Sequence, residues 1–187
     1  MWSELIKKIL FLAAILSLSA FASLVKAYEV RDFVFELEGI KVKITDYIGS
    51  KTSLIIPQYL DGFEVTVIGE NALNNKGLTN VSLPDSVEVI EESAFANNAI
   101  TGIGFPASVV EVHRRAFYNN NMDSLTLPNT VEIVGESAFA ANKLRVVNYD
   151  VQTTQTDSSA FATNIEYLFS VVMQNSCLLY TSPSPRD

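Results

Sequence analysis

The chain of 187 residues is poor in cysteine, histidine and tryptophan, and has one of each. Its only cysteine, Cys177, lies close to the C-terminal end, so the preceding residues can form no intrachain disulfide among themselves and carry no cysteine chemistry. Its only histidine, His113, excludes a multi-histidine metal site. We therefore expect no metal or other cofactor in this chain.

Positive charge is also scarce, because 13 lysines and arginines stand against 21 aspartates and glutamates, for a net charge of -8. The stretch 28–176 is more acidic still, since the two terminal segments hold more basic than acidic residues. A surface of this kind is repelled by phosphate backbones and by anionic lipid headgroups. We therefore expect neither a nucleic acid nor a membrane surface as partner, apart from a signal or anchor segment.

Both ends of the chain have the character of segments outside the folded body. Lys7 and Lys8 precede an apolar run over 9–25, and small residues follow as far as Ala27. This pattern predicts a signal peptide over 1–27, with an uncleaved membrane anchor as the alternative. The last segment, 177–187, resembles one reading frame of a transposon-end sequencing adapter. We therefore expect an adapter artefact there and a truncated continuation of the fold at 169–176.

A repeat of 22 residues runs through the rest of the chain. Its clearest column pairs alanine with a large apolar residue: Ala72-Leu73, Ala94-Phe95, Ala116-Phe117, Ala138-Phe139 and Ala160-Phe161. Self-similarity at a fixed short period is the signature of stacked coils. We expect an N-terminal β cap region with a first, longer repeat over 28–66, and repeats of 22 residues over 67–168.

Each coil has the pattern of a short strand followed by a tight segment. In "LTNVSLP", residues 78–84, apolar and polar residues alternate before a proline, as in a short strand. The Ala-Phe pair is expected in a short helical turn, capped at its start by the column Asn71, Ser93, Ser137 and Ser159, in which Arg115 is the exception. At its end, we expect left-handed asparagines at Asn98, Asn120 and Asn142. The alternative for these asparagines is a ladder that binds a ligand.

The pattern Leu78-x-x-Val81-x-Leu83-Pro84, followed by Ile90 and Ala94-Phe95, resembles the BspA-like leucine-rich repeat family of bacterial and protist surface proteins. The resemblance covers about 35–168. It implies an α/β repeat solenoid whose coils combine a short parallel strand with a short helical turn. The alternative fold is a right-handed parallel β-helix of similar coil length. Ordinary leucine-rich repeats have asparagine where this chain has Ser86, Ser108 and Thr130, so we expect a ladder of hydroxyl groups there.

The last coil departs from the pattern. Asp150, Thr153 and Thr156 stand where proline and apolar residues occur in earlier coils. We therefore expect the solenoid to degrade or to change register in this region.

The outward-pointing residues of the repeated strand form the candidate binding face. Because side chains alternate between core and surface along a strand, this face should contain Asn80, Ser82, Gly102, Gly104, Ser124, Thr126, Val146 and Asn148. It is small in side-chain size and uncharged, which suits contact with a large partner better than catalysis.

Other polar residues are interpreted as solvated surface. His113 shares its column with Gly69, Glu91 and Gly135, as expected of an ordinary turn residue. Glu70, Glu92 and Glu136 form a charged column interrupted by Arg114. The segment "GIGF", 102–105, lacks the third glycine and the lysine of a phosphate-binding loop.

The family resemblance implies a secreted or cell-surface protein that mediates protein–protein binding or adhesion without catalysis. Its partner would be a protein, such as one on a host or neighbouring cell. Two alternatives stay open: a recognition module of a longer exported enzyme, and a structural spacer.

Overall fold

The computed structural model describes residues 31–150, 154–164 and 170–174. The expected signal peptide and the adapter-like tail lie outside the described residues. The strands are β1 (Phe33–Glu38), β2 (Lys41–Tyr47), β3 (Ser53–Ile55), β4 (Tyr59–Leu60), β5 (Phe63–Ile68), β6 (Asn80–Ser82), β7 (Val89–Ile90), β8 (Glu111–Val112), β9 (Ser124–Thr126), β10 (Ile133–Val134), β11 (Val146–Asp150), β12 (Gln155–Thr156) and β13 (Ser170–Gln174).

Two antiparallel hairpins begin the fold. β1 pairs with β2, and β4 pairs with β5. Their turns use left-handed backbone at Gly39 in the first hairpin, and at Asp61 and Gly62 in the second. Such residues match the twist that a tight hairpin requires. From β5 onwards, neighbouring coils are joined by parallel pairing.

Two sides of the coil stack are sheets. The first, which we call the long sheet, has the order β1-β2-β5-β7-β8-β10-β12, with β4 beside β5. The second consists of two parallel pieces, β3-β6 and β9-β11-β13, and we call it the split sheet. Equivalent residues lie directly opposite one another, as Glu111 does with Ile133 and Ile133 with Gln155. The 22-residue period of the sequence is therefore the length of one coil.

The core is a set of columns that run through the stack. Phe95, Phe117, Phe139 and Phe161 form one column, with consecutive ring centroids 5.0, 5.4 and 5.9 Å apart and nearly parallel ring planes. Leu73 is fully buried and opens this column. Each coil covers the apolar face of the one before it, which is how a repeat too short to fold alone becomes stable.

The expected helical turn around the Ala-Phe pair is wrong. The described residues contain no helix, and thus none long and apolar enough to cross a membrane. In the segment 91–97, the N–H groups of Ser93, Phe95 and Asn97 donate to carbonyls of the next coil. Only those of Ala94 and Ala96 turn back to a carbonyl three residues earlier. Since alternate N–H groups bond between coils, a helix cannot form, and in this respect the coil matches the alternative β-helix.

The expected helix caps are also wrong, for the same reason. The column of Asn71, Ser93, Arg115 and Ser137 has a left-handed backbone, with φ between 54° and 56°. A second left-handed column follows the Ala-Phe pair and consists of Asn75, Asn97, Asn119, Ala141 and Thr163. The left-handed conformation expected at Asn98, Asn120 and Asn142 therefore occurs one residue earlier. Each coil turns its corner with two left-handed residues instead of a helical turn.

The asparagines that follow the second left-handed column form a buried ladder between coils. Oδ1 of Asn120 accepts a hydrogen bond from the N–H of Ile100 at 3.1 Å. Its Nδ2 donates to the carbonyls of Phe95 and Phe117, at 2.9 and 3.2 Å. The same arrangement recurs at Asn98, Asn142 and Asn164. These side chains are saturated by main-chain groups of two coils, so they hold the stack together and leave no ladder for a ligand.

The expected hydroxyl ladder is confirmed. Ser86, Ser108 and Thr130 each donate to a carbonyl of the preceding coil, at 2.7, 2.6 and 3.0 Å. In the last coil, Thr154 donates to the carbonyl of Val131 at 2.8 Å, although it stands two residues later in the repeat than the hydroxyls of the earlier coils. Thr156 lies opposite Val134, and Phe161 continues the phenylalanine column. Among the described residues, the last coil therefore keeps the stack and the strand register, while its hydroxyl donor is displaced by two residues.

Candidate interaction surface

The outward side of the split sheet, which we call the front face, carries the candidate binding residues. In β6 and β9 the middle residue is buried and its two neighbours are exposed, because a flat strand alternates its side chains. In β11, Val146 and Asn148 are partly exposed. Pairing places Ser124 opposite Val146 and Thr126 opposite Asn148. In the two earlier coils the predicted residues are likewise exposed, at Asn80, Ser82, Gly102 and Gly104.

The front face is polar but uncharged along its strands. Asn148 Nδ2 donates to Thr126 Oγ1 of the previous coil at 3.4 Å. Ser124 Oγ donates to Asp123 Oδ1 at 3.1 Å, beside the sheet. Small hydroxyl and amide groups in a flat array can donate and accept hydrogen bonds without a large desolvation cost.

The strand ending at Ile56-Pro57 is expected from the family resemblance, but the candidate binding residues predicted from the sequence left it out of this face. β3 pairs in parallel with β6 and places Ile55 opposite Ser82. Ile55 is 78% exposed, although it is a large apolar residue between the buried Leu54 and Ile56. The signal was present in "SLIIP", since alternation puts the middle isoleucine outside when its neighbours are inside. The front face therefore includes an exposed apolar group at its N-terminal end.

The split in the sheet falls within the front face, at Gly102–Gly104. The N–H of Thr101 still donates to Thr79, at 3.4 Å, but no backbone hydrogen bond joins Gly102, Ile103 or Gly104 to another described residue. A Cβ added at either glycine would meet nothing within 4 Å, and neither glycine has a positive φ. Neither crowding nor backbone conformation therefore requires glycine here.

Two exposed cations that pair with no described carboxylate border the C-terminal end of the front face. Lys143 and Arg145 flank the fully buried Leu144, immediately before β11. Neither forms an ion pair among the described residues. Asp123 occupies the position of Arg145 in the preceding coil, where its carbonyl accepts from the N–H of Arg145 at 2.8 Å. The two cations outnumber this one carboxylate, so this end of the front face carries a local excess of positive charge on an acidic protein.

The outward side of the long sheet has a different character, because its charges are paired. Lys41 Nζ lies 2.7 Å from a carboxylate oxygen of Glu88, and Lys43 Nζ lies 2.8 Å from Glu91. The hydrogen bond to Glu91 raises the pKa of Lys43. These pairs join the cap to the first regular coils.

Two of the other polar residues singled out in the sequence, His113 and Arg114, form surface pairs. His113 Nε2 lies 2.7 Å from a carboxylate oxygen of Glu111, two residues earlier in β8. Arg114 forms an ion pair with Glu92, and this hydrogen bond raises the pKa of the guanidinium. Among the residues the structure describes, no three His, Cys, Asp or Glu side chains are grouped so that they could hold a metal ion.

Parallel coils of 22 residues, joined by ladders of phenylalanine, asparagine and hydroxyl groups, define the class as a leucine-rich repeat solenoid. The family described as "BspA type Leucine rich repeat region" matches residues 64–179 in six copies, and the chain belongs to this family. A comparison with proteins of curated function finds no significant match.

Solved structures support the same fold. A leucine-rich repeat protein from Bacteroides ovatus is 24% identical with a TM-score of 0.61, over 76% of this chain and 40% of that one. The T. pallidum leucine-rich repeat protein is 24% identical with a TM-score of 0.52, over 63% of this chain and 69% of that one. The pneumococcal vaccine antigen PcpA is 17% identical with a TM-score of 0.54, over 77% of this chain and 49% of that one. The chain thus spans less than half the length of two of these structures.

Proposed function

We propose that this protein is a secreted or cell-surface binding protein without catalytic activity, whose front face contacts another protein, for example in adhesion to a host or neighbouring cell. One observation carries the proposal: small, uncharged, solvent-accessible residues recur at the same two positions of the coils from Asn80 to Asn148. Flat repetitive surfaces of solenoids suit large protein partners.

Export is supported by the sequence of the leader, with its two lysines, its apolar run and its final pattern Val25-Lys26-Ala27. The pneumococcal protein with the same fold is described as a vaccine antigen, which agrees with a surface location. The test is the mass of the protein recovered outside an expressing bacterial cell. We expect a mature N-terminus at Tyr28, and a protein retained with its leader in the membrane would contradict cleavage.

A binding role is supported over catalysis by the distribution of titratable groups. The described carboxylates that approach cations do so in surface ion pairs, as Glu88 and Glu92 do, and do not converge in a cavity. Acid–base catalysis needs titratable groups placed around a reacting atom in a concave site. The front face has neither feature.

The test of the binding role compares two tryptophan substitutions at exposed positions on opposite sheets. The wild-type full chain is first screened against an array of extracellular proteins to find a partner. Thr126→Trp places a large ring on the front face, whereas Glu132→Trp places one beside β10 of the long sheet. We expect the first variant to lose the partner and the second to keep it. If only Glu132→Trp abolished binding of the partner, the binding site would lie on the long sheet instead.

A further inference from the structure

We propose that the front face receives an extended, acidic segment of the partner protein. The main chain of the segment would lie over Gly102–Gly104, and one of its carboxylates would reach Lys143 and Arg145. This inference rests on the function proposed above and names the kind of partner that the face accepts.

The first observation is the break in the split sheet. β6 and β9 both stop pairing at the coil between them, so the main-chain groups of Gly102, Ile103 and Gly104 have no partner among the described residues. Both glycines are exposed, and the space where a side chain would stand is open. Glycine within a strand position often marks a place where another backbone approaches closely. An extended peptide that crosses the face at this coil can hydrogen-bond with main-chain groups that no described residue satisfies.

The second observation is independent and concerns charge. Lys143 and Arg145 are exposed and carry no ion pair among the described residues, while the chain as a whole has a net charge of -8. An acidic segment is repelled by most of the molecule and attracted at this end of the front face. Charge complementarity of this kind fixes the register and orientation of a bound partner more than it adds affinity.

The spacing of the two features fits one extended segment. Only the coil of β9 separates the coil of Gly104 from that of Arg145. Neighbouring strands lie about 4.8 Å apart, so the two features are separated by about 10 Å across the face. An extended chain advances about 3.3 Å per residue. An acidic side chain about three residues from the main-chain contact would therefore reach the cations.

The probe is a display library of random dodecapeptides, selected on the immobilised full chain. The affinity of the selected peptides is then measured for three variants, each first shown to unfold in the same cooperative transition as the wild type. Arg145→Glu reverses one cation of the front face, and Arg31→Glu is the matched control at an exposed arginine before β1. Gly104→Val fills the open space over the break, where an added Cβ meets no other atom within 4 Å.

We expect enriched peptides to carry aspartate or glutamate, and to lose about tenfold or more in affinity with Arg145→Glu and with Gly104→Val, but not with Arg31→Glu. Raising the salt concentration should weaken the binding of these peptides. Failure to enrich any peptide, enrichment of neutral or basic peptides, or equal binding to all variants would overturn the inference. If Thr126→Trp still abolished binding of a folded partner protein in that case, the proposed function would stand and only this inference would be overturned.

Discussion

The rings of Phe117 and Phe139 lie one coil apart, with centroids separated by 5.4 Å and planes inclined by only 3°. Both rings are fully buried, so the column is the centre of the core. Truncation of such a residue removes buried area and leaves a cavity, which costs about 3–5 kcal/mol. We expect this loss for Phe117→Ala and for Phe95→Ala, measured by equilibrium chemical denaturation. A loss below about 1 kcal/mol would mean that the column is not the core.

Phe117→Leu is the matched control for that truncation. Leucine already occupies the first position of the column, at Leu73, where it is fully buried. Because leucine fills most of the space left by the ring, this variant should lose clearly less stability than Phe117→Ala in the same measurement.

The buried asparagine ladder should contribute measurably to stability. Asn120→Ala would leave the N–H of Ile100 without its acceptor, whereas the carbonyl of Phe95 would keep the hydrogen bond from Asn98. An unsatisfied buried group costs about 1–3 kcal/mol, so we expect a loss of about 1–3 kcal/mol in urea unfolding. Asn80→Ala, at an exposed position of β6, should change stability by less than about 0.5 kcal/mol. Equal effects of the two substitutions would show that the ladder contributes nothing.

The corner at Ala141 can be improved. Ala141 has φ 55°, in the column where earlier coils have Asn75, Asn97 and Asn119. The left-handed conformation costs a residue with a Cβ about 1–2 kcal/mol, and asparagine tolerates it best. Asn119 Nδ2 already donates to Asn97 Oδ1 at 3.0 Å, so a further amide would extend this row. We therefore expect Ala141→Asn to raise stability by about 1 kcal/mol in thermal unfolding.

The control for that substitution is the neighbouring Ala140→Asn. Ala140 is only 2% exposed, so the amide would be buried without a designed partner and should destabilise the fold. If both substitutions lowered the midpoint of unfolding, backbone strain at Ala141 would not be the limiting feature of this corner.

The long sheet gives a pH prediction with a definite sign. The hydrogen bond from Lys43 to Glu91 raises the pKa of Lys43 above the ordinary lysine value of 10.5. The contribution of this pair to stability is therefore fully present below 10.5 and is lost as the pH rises through the folded-state pKa. The stability difference between wild type and Lys43→Met should stay constant near neutral pH and shrink above 10.5. A difference that did not change with alkaline pH would contradict the pairing.

The period, the core columns and the outward rows could be predicted from the sequence, because each depends on spacing alone. Phe95 and Phe117 are inside for the same reason that Ser124 and Thr126 are outside: one position per coil has one environment. The hydroxyl ladder could be predicted as well, since Ser86 repeats at the turn after the strand.

The corner could not be predicted, because local sequence does not show where N–H groups find their acceptors. Ser93 before an Ala-Phe pair is typical of a helix cap, yet its N–H donates to the carbonyl of Arg114 in the next coil. The break at Gly102 depends in the same way on pairing between coils, and glycine alone does not distinguish a weak strand from an absent one.

The central claim is that the front face binds the partner, and hydrogen exchange of the full chain with and without a bound extracellular partner tests it most directly. The account predicts that the partner slows exchange in peptides covering Asn80–Ser82, Gly102–Gly104, Ser124–Thr126 and Val146–Asn148. Peptides covering β7, β8 and β10 should be unchanged. Protection confined to the long sheet, with the front face exchanging as in the free protein, would contradict the claim.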